Sequence, residues 1–172
     1  VLCPSTVSPP YGAKVINVET AEEYLNAIKD DLSKEKADVL ISAAAISDFT
    51  PDKSADQKIS SDFKELTIKL KPTMKIIDEI RKIDKNIYIT AFKAETAYEG
   101  NALVEKAKKR LERGGINLIV ANNVSKEKKN AGFGSDTNDV YIIDNKDNTV
   151  HIEFKEKRQI AGILIDEILK RL

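Results

Sequence analysis

The fold class follows most directly from residues 87–121, which read IYITAFKAETAYEGNALVEKAKKRLERGGINLIVA. The first part, Ile87–Phe92, is rich in β-branched and aromatic residues, which is typical of a strand. Apolar residues at helical spacing follow between Leu103 and Leu111, and the Gly114-Gly115 pair can end that helix. A second apolar run, Ile116–Ala121, predicts another buried strand. This succession of strand, helix and strand indicates an α/β protein with a parallel sheet.

The preceding part of the chain continues this alternation. We predict strands at Ala13–Val18, Val39–Ala45 and Leu66–Leu70. Thr20 and Glu23 have the spacing of a capping box and predict the start of a helix after the first of these strands. Thr73 is the predicted N-cap of a second helix. Because Val39–Ala45 is uniformly apolar, we expect it to be buried on both faces of the sheet.

The end of the chain predicts a hairpin and a final helix. Val140–Ile143 and Thr149–Phe154 alternate like strands, and the polar residues 144–148 between them suit a turn. Apolar residues at helical spacing then run from Ile160 to Leu172. No repeat or interdomain linker interrupts the sequence. We therefore predict one domain over residues 1–172, a three-layer Rossmann-like α/β fold whose sheet is mostly parallel and ends in a C-terminal β-hairpin.

Composition narrows the classes of function. The 172 residues include 28 Lys and Arg and 28 Asp and Glu, so the net charge is zero, which argues against binding nucleic acid or anionic membranes through bulk charge. No apolar stretch approaches the ~20 residues that cross a bilayer. The single cysteine, Cys3, fits a reducing compartment, so we predict a soluble cytoplasmic protein. With His151 as the only histidine, a Cys–His pair is a poor catalytic candidate, which leaves carboxylate, lysine, backbone and Mg²⁺ chemistry.

Three loops follow predicted parallel strands, at the edge where open α/β sheets bind ligands. In the first, Asp48 suits contact with Mg²⁺ or ribose and Lys58 suits contact with phosphate, although spacing alone favours a solvated loop. In the second, Phe92 can pack on a base or close the core. The third, residues 121–138, is rich in amide and hydroxyl groups that can bind a polar ligand or form turns. Arg110, within a basic helix, is a candidate phosphate contact.

The order of these segments resembles phosphopantothenoylcysteine synthetase, the synthetase half of a bifunctional coenzyme A biosynthesis protein. The matching motifs are AAAISDF, QKIS, LTIKLKPT, AFKAET, INLIVANNVS and GFGSDTNDVYII. The resemblance implies a ligase that joins 4′-phosphopantothenate to L-cysteine with CTP through an acyl-cytidylate. It also implies Mg²⁺, a homodimer, and a flavin-dependent decarboxylase domain fused N-terminal to this one. Whether CTP or ATP is used is not readable from the residues.

The resemblance also implies roles for individual residues. Lys58 matches the lysine of the family's KIKK segment and is the expected catalytic residue, which stabilises charge on the triphosphate. The other residues expected at the nucleotide are Ala43, Ala44, Ala45, Asp48, Phe92 and Arg110. Asp48 is also expected to contact Mg²⁺. Asn122 and Asp136 fall in matching segments and are expected to contact the substrate or to belong to its supporting loop.

The chain also departs from the family pattern. Ser60 replaces a second lysine, Lys93 stands where the family usually has a small residue, and Lys71-Pro72-Thr73 replaces Asn-Pro-Asp. The family's N-terminal strand, Gly-rich turn and helix are not in this sequence, so we expect these residues by themselves to be inactive. Two alternatives stay open: a nicotinamide-dependent reductase, disfavoured because no GxGxxG is present, and a non-catalytic nucleotide-binding module.

Overall fold

A computed structural model describes residues 8–53, 57–62, 64–125 and 134–172. Cys3 and the Gly132-Phe133 part of the third loop lie outside these residues. The elements in chain order are α1 (Ala21–Lys34), β1 (Val39–Ser42), β2 (Phe49–Pro51), β3 (Leu70–Pro72), α2 (Ile76–Ile83), β4 (Tyr88–Glu95), α3 (Gly100–Glu112), β5 (Leu118–Asn123), β6 (Thr137–Asp144), β7 (Thr149–Glu156) and α4 (Lys157–Leu169). They fall into two compact units, the first with residues 1–35 and 44–83 and the second with residues 36–43 and 84–172. The expectation of one domain stays a prediction.

The second unit contains a five-stranded sheet in the order β1-β4-β5-β6-β7. The β1–β4 and β4–β5 pairs are parallel, whereas β6 is antiparallel to both of its neighbours. It follows that β7 runs in the same direction as β1, β4 and β5, so four of the five strands point the same way. The mostly parallel sheet and the C-terminal hairpin are confirmed.

Helices cover both faces of this sheet. Leu118 and Val120 of β5 pack in one cluster with Leu164 and Ile168 of α4. Side chains alternate along a strand, so Ile119 and Ala121 face the opposite side, where α3 contacts β5 and β6. Both are fully buried, as are Leu103 and Ala107 of α3. The three-layer Rossmann-like arrangement is therefore confirmed within the second unit.

A buried polar network joins the hairpin turn to the end of α4. Asp144 is only 4% exposed, and its carboxylate accepts hydrogen bonds from the backbone amides of Lys146 and Asn148, the Asn148 side chain and Nε of Arg171. Burial alone raises the pKa of Asp144, but these hydrogen bonds outweigh that effect and lower its pKa to about 2. Arg171 also donates to Oε2 of Glu167 at 2.5 Å. The network fixes the hairpin against the last helix.

The first unit contains α1, α2 and a two-stranded antiparallel ribbon. In the ribbon, Phe49 pairs with Pro72 and Pro51 pairs with Leu70. The α1 and α2 helices contact each other, and Leu25 and Ile80 are their most buried side chains. Among the residues that the structure describes, no helix combines the length and apolar composition that a bilayer crossing requires.

Several strand predictions in the first half of the chain are wrong. Ala13–Val18 is not a strand, and only Val15 makes an isolated bridge. The predicted strand Leu66–Leu70 begins only at its last residue and continues to Pro72, while Phe49–Pro51, taken for loop, is its partner. Strands depend on a paired neighbour as much as on composition, and that neighbour is not visible in a local pattern. The predicted strand Val39–Ala45 ends at Ser42 and is only half-buried, contrary to the expectation of full burial.

The two predicted helix caps had opposite outcomes. Thr20 accepts a hydrogen bond from the Glu23 amide and Glu23 reaches back to the Thr20 amide, so the capping box is confirmed. Thr73 does not cap α2, because the first backbone bonds of that helix go to Lys75 and the Thr73 hydroxyl has no hydrogen-bond partner. The end of α3 at Gly114-Gly115 is confirmed, and both glycines have positive φ.

Candidate functional site

The first unit contains a cavity of about 930 Å³. Three segments line it: the approach and first turn of α1, the residues that follow β1 through β2, and the end of β3 with the residues after it. The lining residues are Val18, Glu19, Thr20, Ala21, Glu22, Tyr24, Ala44, Ala45, Ile46, Ser47, Phe49, Thr50, Pro51, Lys71, Pro72, Thr73 and Met74. A cavity of this volume is large enough for a cofactor-sized ligand.

Two of the predicted nucleotide residues, Ala44 and Ala45, lie on the wall of this cavity. Their small side chains leave the backbone accessible to a ligand. Asp48 lies between the lining residues Ser47 and Phe49, although it is not itself part of the lining. Its carbonyl oxygen accepts a hydrogen bond from the Thr73 amide at 2.8 Å, which ties this segment to the residues after β3.

The Asp48 carboxylate has a basic partner that the sequence did not suggest. Lys75 donates to Oδ1 of Asp48 at 2.6 Å, and both side chains are exposed. Ions at this exposure are hydrated, so the pair contributes little to stability. Lys75 instead adds a positive charge next to the predicted Asp48 site.

The Thr73 hydroxyl is the most unusual polar group on the cavity wall. Its oxygen is buried and has no hydrogen-bond partner. A buried hydroxyl without a partner is unfavourable by about 1–3 kcal/mol. A ligand that hydrogen-bonds this oxygen would recover that free energy.

Lys58, the predicted catalytic residue, belongs to the same unit but is exposed and does not line the cavity. The structure therefore brings Ala44, Ala45 and the Asp48 segment together, and leaves Lys58 on the surface of the unit. A lysine side chain is long and flexible, so it can turn toward a bound anion.

In the second unit, Phe92 and Asn122 lie on one face at the carboxyl end of the parallel strands. Ala94 is the register partner of Asn122, and Phe92 lies two residues before Ala94 on the same face. Phe92 is 42% exposed, so it does not close the core. Asn122 is buried, and its side-chain amide donates to Asn138 at 3.3 Å.

The start of the hairpin reaches the same edge. Because β6 is antiparallel to β5, the residues before β6 lie near the carboxyl end of β5. Asp136 is exposed there, and its carbonyl oxygen accepts a hydrogen bond from the Lys157 amide at 2.8 Å. Ala43 directly follows β1, whose last residue, Ser42, pairs with Ala91. Four predicted residues, Ala43, Phe92, Asn122 and Asp136, thus belong to one edge of this sheet.

Arg110 is placed elsewhere in the second unit. It occupies the last turn of α3 and donates to the Gly114 carbonyl at 3.1 Å. The helix rises ~1.5 Å per residue, so Arg110 lies ~15 Å along α3 from the end that follows β4. The structure does not bring it to the edge that carries Phe92.

On the opposite face of β4, the structure shows an ionic cluster that sequence reasoning missed. Lys93 lies 2.7 Å and Lys106 3.8 Å from Oε1 of Glu95. The Lys106 ammonium also lies 4.2 Å from the ring centroid of Tyr98, within the range of a cation–π contact. The sequence pointed to this cluster only through Lys93, which departs from the small residue expected at that position from the family resemblance.

Asn123 ties the same region together. Its amide nitrogen donates to the Tyr98 carbonyl at 3.0 Å and to Oε1 of Glu99 at 3.2 Å, and its oxygen accepts from the Ser125 amide. The Asn122-Asn123 pair was visible in the sequence, but the strand register decides which asparagine faces which side.

The residues present offer limited metal ligation. Within the described ranges, no group of three or more His, Cys, Asp or Glu side chains is arranged to hold a metal ion. Asp48 supplies one carboxylate, already paired with Lys75. Mg²⁺ commonly takes one or two carboxylates together with substrate phosphates and water, so Asp48 fits such an ion only as a partial ligand. His151 stacks on Tyr141 and lies 2.8 Å from Asp139.

Comparison with known proteins identifies the family. Residues 1–172 match DFP, described as the DNA/pantothenate metabolism flavoprotein C-terminal domain. The chain belongs to this family. The DFP domain is 38% identical over 164 residues to the coenzyme A biosynthesis bifunctional protein CoaBC of Thermococcus kodakarensis, covering 95% of this chain and 39% of that protein. It spans about two fifths of the length of the curated relatives it matches.

Solved structures agree with this assignment. The DFP domain aligns with the C-terminal domain of a CoaBC protein at a TM-score of 0.72 and 25% identity, covering 98% of this chain and 73% of the other. A Cab2 variant solved in complex with phosphopantothenate-cysteine has a TM-score of 0.63 and 22% identity, covering 91% of this chain and 52% of that one, and shares the fold. The family resemblance drawn from the sequence motifs is confirmed.

Proposed function

We propose that this DFP domain is a ligase that joins 4′-phosphopantothenate to L-cysteine with CTP. The observation that carries the proposal is the cavity wall formed by Ala44, Ala45 and Phe49, because these residues belong to the AAAISDF motif of the resemblance. The proposal is supported by the match to DFP over residues 1–172 and by the CoaBC relatives. It is further supported by Cab2, a protein of the same fold that was solved with phosphopantothenate-cysteine.

The proposed reaction has two steps. The carboxylate of 4′-phosphopantothenate attacks the α-phosphate of CTP, which forms an acyl-cytidylate and releases pyrophosphate. The amine of cysteine then attacks the acyl carbon, which forms the amide and releases CMP and a proton. Such chemistry depends on positioning and on neutralising oxygen charge. It requires neither a histidine base nor a cysteine nucleophile in the protein.

In the first unit, Lys58 and the Asp48–Lys75 pair are the proposed charged groups. Lys58 neutralises charge on the triphosphate, and Lys75 adds a second ammonium next to Asp48. Mg²⁺, when bound with the nucleotide, would neutralise phosphate oxygens, with Asp48 as its protein ligand. The small side chains of Ala44 and Ala45 let the ligand approach the backbone.

In the second unit, Phe92 is a proposed nucleotide contact, since it offers an exposed aromatic face. Ala43 provides backbone groups at the same edge, while Asn122 and Asp136 support that edge through their bonds to Asn138 and Lys157. Arg110 stays a proposed phosphate contact, although its place in the last turn of α3 does not favour it.

Pyrophosphate release tests the proposal. The native-length protein is incubated with Mg²⁺ and 4′-phosphopantothenate without cysteine, and release is followed with CTP and with ATP. We expect CTP-dependent release and a trapped acyl-cytidylate, both strongly reduced in Lys58→Gln. Lys64→Gln is the matched control, because Lys64 is an exposed lysine of the same segment. Folded protein that releases no pyrophosphate with either nucleotide would overturn the ligase, and a nicotinamide-dependent absorbance change would then identify a reductase.

We also propose that the protein forms a homodimer through the ribbon of the first unit and the residues 66–69 that lead into it. Leu66, Ile68 and Leu70 are exposed by 53%, 59% and 52%, and Phe49 of β2 by 57%. Exposed apolar residues concentrated in one segment are typical of an interaction surface. A second copy of the chain can cover them by packing the same apolar residues against this surface.

Light scattering on the native-length protein tests the dimer. We expect Ile68→Glu to convert the dimer to a monomer, since it places a charge in the apolar contact. Ile165→Glu is the control, because Ile165 is also exposed but lies on α4. A wild-type monomer, or a dimer that survives Ile68→Glu unchanged, would contradict this interface.

A further inference from the structure

The segment from Glu95, the last residue of β4, to Glu99, the N-cap of α3, is named the crossover and is held by several independent contacts. It follows Phe92 at the carboxyl end of the sheet, where open α/β sheets bind ligands. We propose that Lys93, Glu95, Lys106 and Asn123 are positioning residues that fix the crossover and so set the affinity of the site for its nucleotide. This inference rests on the proposed ligase function.

The first contacts are ionic. Oε1 of Glu95 lies 2.7 Å from Nζ of Lys93 and 3.8 Å from Nζ of Lys106, so two ammonium groups hold one carboxylate. The Glu95 side chain is 16% exposed, Lys93 27% and Lys106 40%. At this exposure the charges are only partly screened by solvent. One carboxylate thereby links strand β4 to helix α3, from which Lys106 extends.

The second set of contacts runs through β5. The Val124 amide donates to the Glu95 carbonyl at 2.7 Å, which fixes the start of the crossover. Asn123 is 4% exposed, and its amide group holds the far end through Tyr98 and Glu99. Glu99 is the N-cap of α3 but makes no side-chain capping bond, since its carboxylate accepts from Asn123 instead. Lys106 closes the cluster over the Tyr98 ring.

These residues lie behind the nucleotide face. Side chains alternate along β4, so Lys93 and Glu95 project away from the face that carries Phe92 and Ala94. They therefore act on a ligand through the backbone of β4 and the crossover. Loosening Glu95 would let the strand end and Phe92 shift together. Because such a shift weakens the Phe92 contact with the nucleotide but removes no charged group from it, nucleotide affinity should change more than turnover.

Steady-state kinetics of the native-length protein tests the inference with Lys93→Ala and Glu95→Gln. Each variant should raise the KM for CTP by about twofold to fivefold, the range that partly exposed ion pairs support. The kcat and the KM for 4′-phosphopantothenate should stay unchanged. Lys93→Arg should restore the wild-type KM. Because Lys93 acts through Glu95, the double variant should have a KM for CTP no higher than that of the more strongly affected single variant.

Lys108→Ala is the matched control. Lys108 lies on the same helix, but pairs with Asp147 at 3.2 Å and touches neither Glu95 nor Tyr98 in the described contacts. The inference is overturned if Lys93→Ala and Lys108→Ala have the same KM for CTP. It is also overturned if kcat and both KM values fall or rise together, which indicates a general structural role. Wild-type protein that releases no pyrophosphate would instead overturn the ligase function on which the inference rests.

Discussion

Replacing Asp144 by Asn should destabilise the protein by removing one buried negative charge. The carboxylate accepts four hydrogen bonds, from two turn amides, the Asn148 side chain and Arg171. Asn keeps the shape but turns one acceptor into a donor, which then faces donors. Whichever way the amide points, two of the four bonds are lost, and Arg171 no longer faces a negative charge on the hairpin.

The size of the effect follows from the pKa of Asp144, lowered from 3.8 to about 2. This lowering of the pKa is worth about 2 kcal/mol of unfolding free energy at neutral pH. Since the folded-state pKa is lowered, this stabilisation is fully present above the unfolded pKa of 3.8 and is lost as pH falls toward 2. At pH 3 linkage leaves about half of the stabilisation present at neutral pH.

Urea unfolding of wild type and Asp144→Asn at pH 7 and at pH 3 measures this difference. Other carboxylates titrate in both proteins, so the difference between the two isolates Asp144. Asp147→Asn is the control in the same turn, because Asp147 is 80% exposed and Asn tolerates its positive φ of 65°. The reasoning fails if Asp144→Asn loses less than ~0.5 kcal/mol at pH 7, or loses the same amount at both pH values.

Three further predictions concern stability. Thr90→Val should stabilise by about 1 kcal/mol in thermal unfolding, because the fully buried Thr90 hydroxyl lacks a hydrogen-bond partner; a loss of stability would show that it is satisfied. Thr20→Ala should cost about 1 kcal/mol by breaking the capping box of α1, and unchanged stability in urea would contradict this. Leu164→Ala should cost about 2–5 kcal/mol, since Leu164 lies in the cluster under α4; a cost below ~1 kcal/mol would refute its core position.

The parts of the fold that were predictable are those whose stability is local or uniformly apolar. The succession β4–α3–β5 and the hairpin could be predicted from residue patterns, because buried parallel strands appear as apolar runs and turns appear as clusters of polar residues. Ala13–Val18 shows where such patterns fail, since it also has a strand-like composition but forms no strand in the structure. Thr20 and Thr73 show the same limit. Each precedes a different helix, and only the geometry of the first turn decides that Thr20 caps α1 whereas Thr73 does not cap α2.

Site residues that belong to a sequence motif could be predicted, whereas contacts between positions far apart in the sequence could not. Ala44, Ala45 and the Asp48 segment lie together at the cavity. The Lys75 partner of Asp48 lies 27 residues away in sequence, so no spacing rule pointed to it. Asn123, rather than Asn122, faces α3 because of the strand register. A shift of one residue in the register would move each side chain to the other face of the sheet.

The position of β1 has a consequence for the order of folding. Its four residues pair with β4, yet about 45 residues lie between them in the chain, which loop-closure entropy makes unfavourable by roughly 3 kcal/mol. Strands β4 to β7 and helices α3 and α4 come from one continuous segment, so their contacts close much shorter loops. We therefore expect this segment to assemble first and β1 to be added to a preformed edge, so substitutions in Val39–Ser42 should speed unfolding and barely slow folding.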